Sequence, residues 1–251
     1  KHVDEWGEVT EDFDQPKAQR VVDEMAKRHD AMMNPKSNPL STALTSFGFL
    51  YYLGLSPAAA VVNLSQTALV AYPVMAGKWG YQKAGAALLR ASKEAVASKN
   101  DIRTQLKDAD EIAAYDAAVK AGVIDVTMSH DLAGISQGED QKVSWALRPV
   151  MRMASYMFHQ AELFNRQSTF MAAFRLARDA GATPKDAYEQ AVKATYDGHF
   201  DYGAANRPRV MQGNVARVVL LFKQYAQNMI YTIARQAYQS VAGKSPEERR
   251  Q

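Results

Sequence analysis

The residues best equipped for chemistry in this sequence fall on one helical stripe. Arg148, Arg152, Ser155, His159, Glu162, Arg166 and Thr169 recur at alternating steps of four and three, so any helix that carries them places them on a single face. His159 and Glu162 are i,i+3 neighbours, and Glu162 and Arg166 are i,i+4. That spacing permits a His–carboxylate hydrogen bond and an ion pair. A helical di-iron centre takes two Glu-x-x-His pairs and two further Glu residues, whereas here a single pair stands in reverse order. With five His, no His-Glu-x-x-His and no Cys, the sequence points to no metal and no cofactor. His159, Glu162 and Arg166 read as a polar network between helices.

Acid-catalysed cleavage of a glycan needs one or two carboxylates in a cleft. Glu162 is the candidate acid of that alternative, with Asp197 and Asp201 in a following loop, yet no spacing singles out any of the three. The nucleophile elbow, the phosphate-binding loop and the glycine pattern of dinucleotide binders are all missing. Without Cys there is also no thiolate nucleophile and no disulfide framework. The expectation is a non-enzymatic module.

The formal charge of +3 conceals an asymmetry: residues 1–35 carry a net −4, residues 36–141 a net −1 and residues 142–251 a net +8. Arg207, Arg209, Arg217, Lys223 and Arg235 are the candidate polyanion contacts, and Phe200 and Tyr202 could stack on bases. However, Arg217, Gln224, Asn228, Tyr231 and Arg235 share one helical face, and so mixed a stripe suits another helix or water better than a phosphate backbone. DNA contact therefore stands as a third reading, behind the other two.

The elements that must position these residues are helical. Gly and Pro are sparse, and no convincing strand or repeat is present. The expected fold class is all-α: an irregular multi-helix bundle with an apolar helical pair and two long C-terminal helices. Its parts are an N-terminal helical part (1–122), a connection (123–141), a C-terminal helical part (142–242) and a tail (243–251). Asp14 and Pro16 open a first helix running to about Met33. Helices follow over 83–98 and toward Lys120, with Gly122 as a left-handed cap. Thr183 starts a further helix near the end of the long one, and the last runs over 214–242. Its Val215, Val218, Val219, Phe222, Ala226, Met229, Ile230, Ile233 and Ala237 make a broad apolar face. A chain that opens at Lys1 without a start Met or a leader pattern reads as a piece of something longer.

The most informative stretch is 37–77, where 41 consecutive residues carry no charge. Ser56-Pro57 is a helix start that splits it into one arm near Leu40 to Leu53 and another from Pro57 to about Ala71. Each arm is roughly 22 Å long against a bilayer core of roughly 30 Å. The pair is therefore either core or a conditional membrane hairpin. Phe47, Phe49, Leu50, Tyr51, Tyr52 and Leu53 in the first arm, with Val61, Val62, Leu69 and Val70 in the second, are the candidate membrane or partner contacts. Ala59, Ala60, Asn63 and Thr67 permit close helix contact in either solvent. Lys78, Trp79 and Tyr81 suit a headgroup boundary.

Four stretches carry a family resemblance. AELFNRQSTFMAAFRLARDAG at 161–181, DGHFDYGAANRPRVMQG at 197–213, VARVVLLFKQYAQNMIYTIAR at 215–235 and LTSFGFLYYLGLSPAAAVVNLSQ at 44–66 together span about a third of the chain. They resemble the C-terminal helical region of the very large polyvalent proteins of tailed phages and prophages. The resemblance implies an internal virion protein, stored in the particle and delivered with the genome to the bacterial envelope. It further implies self-association or contact with other virion proteins, and a share in an envelope-spanning conduit for DNA. Membrane and DNA are the other partners it brings into view.

Overall fold

The computed structural model describes residues 2–3, 9–10, 15–33, 44, 47–48, 51, 56–124, 141–199, 223–243, 245–246 and 249. Apart from a two-residue antiparallel pairing of β1 (His2–Val3) with β2 (Val9–Thr10), the described chain is all-α. Its helices are α1 (Gln15–Met33), α2 (Pro57–Gln66), α3 (Tyr72–Trp79), α4 (Tyr81–Ala97), α5 (Ala109–Lys120), α6 (Gln141–Asp179), α7 (Pro184–His199) and α8 (Lys223–Ala242).

α6 is the spine. At 39 residues it is about 58 Å long, and α2, α4, α5 and α7 all pack on it. Toward its C-terminal end a run of apolar residues is enclosed by the neighbouring helices: Phe170, Met171, Ala172, Ala173, Phe174 and Ala177 are all buried. Phe170 stacks on Phe174 one turn on, and meets Tyr188 of α7 edge to face at 5.9 Å. The facing helices offer small residues. Ala84, Leu88, Ala91 and Ala95 line α4, and Ala187, Ala191 and Ala194 line α7. Short side chains let the backbones approach, so the core is continuous from Met75 to Ala194 and joins residues on both sides of 125–140.

Local chemistry explains the element ends. Asp108 caps α5, its carboxylate accepting from the Glu111 amide at 3.0 Å, and Gly122 closes the helix at φ 74°. Thr183 caps α7 through the Asp186 amide, and Gly181 ends α6 at φ 90°. Between α4 and α5 the chain makes a 3₁₀ turn (Ile102–Gln105), entered through Asn100 at φ 68°, a conformation Asn tolerates better than most residues. Buried Gln167 of α6 holds this link. Its Nε2 donates to the Asn100 carbonyl and side-chain oxygen, and its Oε1 accepts from the Ile102 amide and the Tyr115 hydroxyl. Arg175 clamps the far end with a two-pronged bond to Glu111 and a 2.6 Å bond to Glu94. Burial works against the Arg175 charge, and the two carboxylates more than offset it, holding the guanidinium above its ordinary range.

The structure corrects one expectation about the extent of the helices. The arm from Pro57 does not end near Ala71. It begins where expected, with Pro57 as the first helical residue, but continues through a π turn (Thr67–Ala71) into α3 and stops at Trp79, before Gly80 at φ 89°. Pro73 cannot donate a main-chain bond and its ring would strike the carbonyl four residues back. The wider π turn just before it, with the Tyr72 amide reaching the Thr67 carbonyl five residues back, carries the helix past the proline. Of the other arm, Phe49, Leu50, Tyr52 and Leu53 lie outside the described residues. α6 starts at Gln141 and carries Pro149 within it.

Candidate functional site: a polar seam beneath an apolar face

α2 meets α6 through polar groups. Asn165, buried on α6, donates from Nδ2 to the Asn63 carbonyl and accepts at Oδ1 from the Thr67 hydroxyl, both at 2.7 Å. Asn63 and Gln66 of α2 are buried beside it. One turn along α6, Thr169 shares a 2.7 Å hydrogen bond with Nε2 of His199, the last residue of α7. Both side chains are sealed from water. Burial, and then the nearby Arg166 charge, push the His199 imidazole down to about 3 against the opposing pull of the Asn165 main chain, so the ring is neutral.

The Glu162–Arg166 pair belongs to the same seam. Their charged atoms stand 3.7 Å apart, with side chains 7% and 2% exposed, and Arg166 also donates to the Val123 carbonyl at 3.1 Å. The pair lies within α6, one turn apart, and of the two the Arg166 guanidinium reaches beyond the helix to the Val123 carbonyl, while His159 is half-buried. The Glu162 side chain is only 7% exposed, so its carboxyl is not presented to a glycan in this structure. A cleft of about 500 Å³, lined by Asn100, Arg103, Tyr115, Asp116 and Leu163 among others, does not include Glu162. Within it the Arg103 guanidinium bonds both oxygens of Asp116 and holds that carboxyl below its usual range, so Asp116 is a fixed carboxylate; Asp101 and Lys120 also line the cleft. Asp197 pairs with Lys193 on the surface of α7, and Asp201 lies outside the described residues. Among the described residues no cluster of three His, Asp or Glu is placed to hold a metal ion.

Above the seam the outer face is apolar. Val61, Val62 and Leu69 are each more than half exposed and Leu64 is 40% exposed, while Phe47 and Tyr51, whose rings stack at 6.2 Å, are exposed as well. Val70 is fully buried, so it points into the protein and is no part of the outer surface. The helix from Ala60 to Trp79 is long and apolar enough to cross a membrane, with half of it buried against the rest of the protein. Lys78 lies over the Trp79 ring at its end.

The last helix departs from expectation most. Ile230, Ile233 and Ala237, placed on a core face from their spacing, are exposed. Among the described side chains of α8 the buried ones are Thr232 and Gln236, with Arg235 and Gln239 half-buried on the same face. Arg235 is thus turned toward the protein, away from any polyanion. Arg207, Arg209 and Arg217, and the side chain of Lys223, lie outside the described residues.

No protein-family model matches this chain, and neither a curated protein nor a solved structure matches it. Sequence reasoning missed Gln66, Asn165 and His199 as the seam. Their signal was an Asn or Gln recurring where an apolar stripe should run unbroken, at 63 and 66 inside the charge-free stretch.

Proposed function

We propose that this chain is a non-enzymatic helical module of an internal virion protein of a tailed phage, delivered with the genome, which self-associates and uses its apolar segment at the bacterial envelope as part of a conduit for DNA. Two supports are independent. The phrases at 44–66, 161–181, 197–213 and 215–235 resemble the helical region of polyvalent phage proteins. The observation that carries the membrane part is the first half of the helix from Pro57 to Trp79, where Val61, Val62, Leu64 and Leu69 are bare to solvent while Asn63 and Thr67 bond Asn165 of α6; further along, Val70, Ala71, Val74, Met75 and Ala76 are buried in the ordinary way. A water-soluble helix orients its stripes the other way. Running through the π turn, it is 23 residues and about 34 Å long, enough for a bilayer core of roughly 30 Å.

The test exploits the exposure of this face. Val62→Arg and Leu69→Arg change residues already more than half in water, so the soluble fold should keep its thermal midpoint. A charge at the centre of an inserted helix costs roughly 2.5 to 3.5 kcal/mol, about a hundredfold in insertion. Both variants should therefore stop the protein floating with liposomes or making them leak, whereas Val70→Arg, at a fully buried site, should damage the fold itself. A wild-type chain that neither floats nor causes leakage at neutral or mildly acidic pH sinks the membrane part. Its absence from mass spectra of purified phage particles produced by the source strain sinks the virion part.

A further inference from the structure

We propose that α8 is a second lipid-facing helix, meeting the bilayer through Ile230, Ile233, Tyr238 and Val241. This rests on the reading that the α2 face meets lipid, and extends it to an element 160 residues further along the chain.

The polarity of α8 is reversed. Thr232 and Gln236 are 4% and 7% exposed, whereas Ile230, Tyr238 and Val241 are 67%, 70% and 86% exposed. Polar residues at 232, 235, 236 and 239 follow the i, i+3, i+4, i+7 rule of a buried stripe, on the side where a soluble helix carries its Leu and Val. α8 comes against the π turn at 67–71, and α2 has the same reversal, with Asn63 and Gln66 inside and Val61, Val62 and Leu64 outside; Leu69 of the π turn is exposed as well. The reversal is local: α4, α5, α7 and the second half of α6 bury Ala, Leu, Met and Phe in the ordinary way. One molecule thus holds a region built for water and a region whose helices touch through polar groups and turn apolar groups outward.

That second arrangement is what a bilayer selects. Lipid tails give helices no hydrophobic reason to associate, so small and hydrogen-bonding side chains do the joining. The seam has capacity left for it. Asn63 Nδ2, Gln66 Nε2, Arg235 Nε, Gln236 Nε2 and Gln239 Oε1 are buried without a hydrogen-bond partner, which is costly in the stored form and available to helices that close on one another in lipid. A second copy of the chain is a poorer fit to the outer stripe. Helices that pair in water flank their apolar seam with charges that choose the partner. Around Ile230, Ile233 and Ala237 this helix offers Tyr231, Ala234 and Tyr238 and no charge. Tyr at the edge of an apolar stripe suits headgroup depth.

The full chain has no Cys, so single cysteines can be labelled cleanly. Ile233→Cys, Val241→Cys, Leu69→Cys and Lys120→Cys each take an environment-sensitive nitrobenzoxadiazole dye at an exposed site. Circular dichroism and melting should show every labelled variant folded as the wild type. Vesicles of zwitterionic phospholipid with a minor share of anionic phospholipid are then added, with and without nitroxide on the acyl chains. We expect blue-shifted, brighter emission, quenched by the nitroxide, from labels at 233, 241 and 69, and no change at 120. Response at 69 with none at 233 and 241 overturns the α8 proposal and leaves the function reading standing. Response at 233 and 241 with none at 69 upholds α8 and removes α2. A blue shift at 233 and 241 without vesicles that grows with protein concentration assigns the face to a second copy and overturns the proposal. Silence at all three sites overturns both.

Discussion

His199 shows how much a single buried polar residue constrains this protein. The ring sits between α6 and α7, bonded to Thr169 and facing Arg166, and burial followed by that positive charge keeps it neutral down to about pH 3. In the unfolded chain a His titrates near 6.5. Between those two values the unfolded state binds a proton that the folded state refuses. The stability His199 contributes is therefore complete above pH 6.5 and is lost as pH falls through the window below it. We expect the free energy of unfolding, from urea melts at pH 7.5, 6 and 5, to fall by about 1.4 kcal/mol per pH unit once below roughly 6. His199→Gln, which can still bond Thr169, should give a flatter profile across that range; an unchanged slope would assign the acid sensitivity elsewhere. Nothing in the sequence marks His199 over the other four His. Its character comes from Arg166 and Thr169, some thirty residues away on another helix.

At the scale of elements, the π turn is the feature that couples the seam to the core. It pushes Ala71 outward against α7, so closely that a Cβ on Gly198 would lie 2.8 Å from the Ala71 Cβ and 3.0 Å from its Cα. In an ordinary exposed helix Gly→Ala gains up to about 1 kcal/mol. Here the obstacle is main chain and cannot swing aside, and overpacking of a tight contact costs about 1–3 kcal/mol. Gly198→Ala should therefore lower the thermal midpoint by several degrees, at about 2–4 °C per kcal/mol for a chain of this size. An unchanged or raised midpoint would mean that the two helices can slide apart. Both ingredients are visible in the sequence, Pro73 after a helical run and Gly198 inside another, but their meeting is not, because contacts 127 residues apart leave no trace in local periodicity.

For the whole molecule, the division between an ordinary core and a reversed region has consequences for dynamics. α4, α7 and residues 165–177 enclose the apolar core, whereas α1 buries none of its described side chains and α8, among its described side chains, buries only Thr232 and Gln236. Opening should be cheap where apolar burial is small. Hydrogen exchange read by mass spectrometry should find α4, α7 and 165–177 slowest and α1 and α8 among the fastest; strong protection in α8 without lipid would contradict the division. Addition of vesicles should then slow exchange in α2 and α8 and leave α4 and α7 as they were.

The helical class, the start at Pro57, the caps at Asp108 and Thr183 and the stops at Gly122 and Gly181 could all be read from the sequence, because each depends on side chains within a turn of the residue they control. The pairing of Glu162 with Arg166 was legible for the same reason, being one turn long. Which face of a helix looks inward was not. Periodicity defines an apolar stripe and a polar stripe on α8 equally well, and placed the apolar one in the core, since water normally decides the matter that way. Packing around α6 decided otherwise. The core positions were taken by the small residues of α4 and α7, and α2 and α8 met the rest of the chain through Asn63, Gln66, Thr232 and Gln236, leaving Val62, Leu69, Ile233 and Val241 outside. Orientation is a contest among all the helices for one interior, and only the tertiary structure records its result.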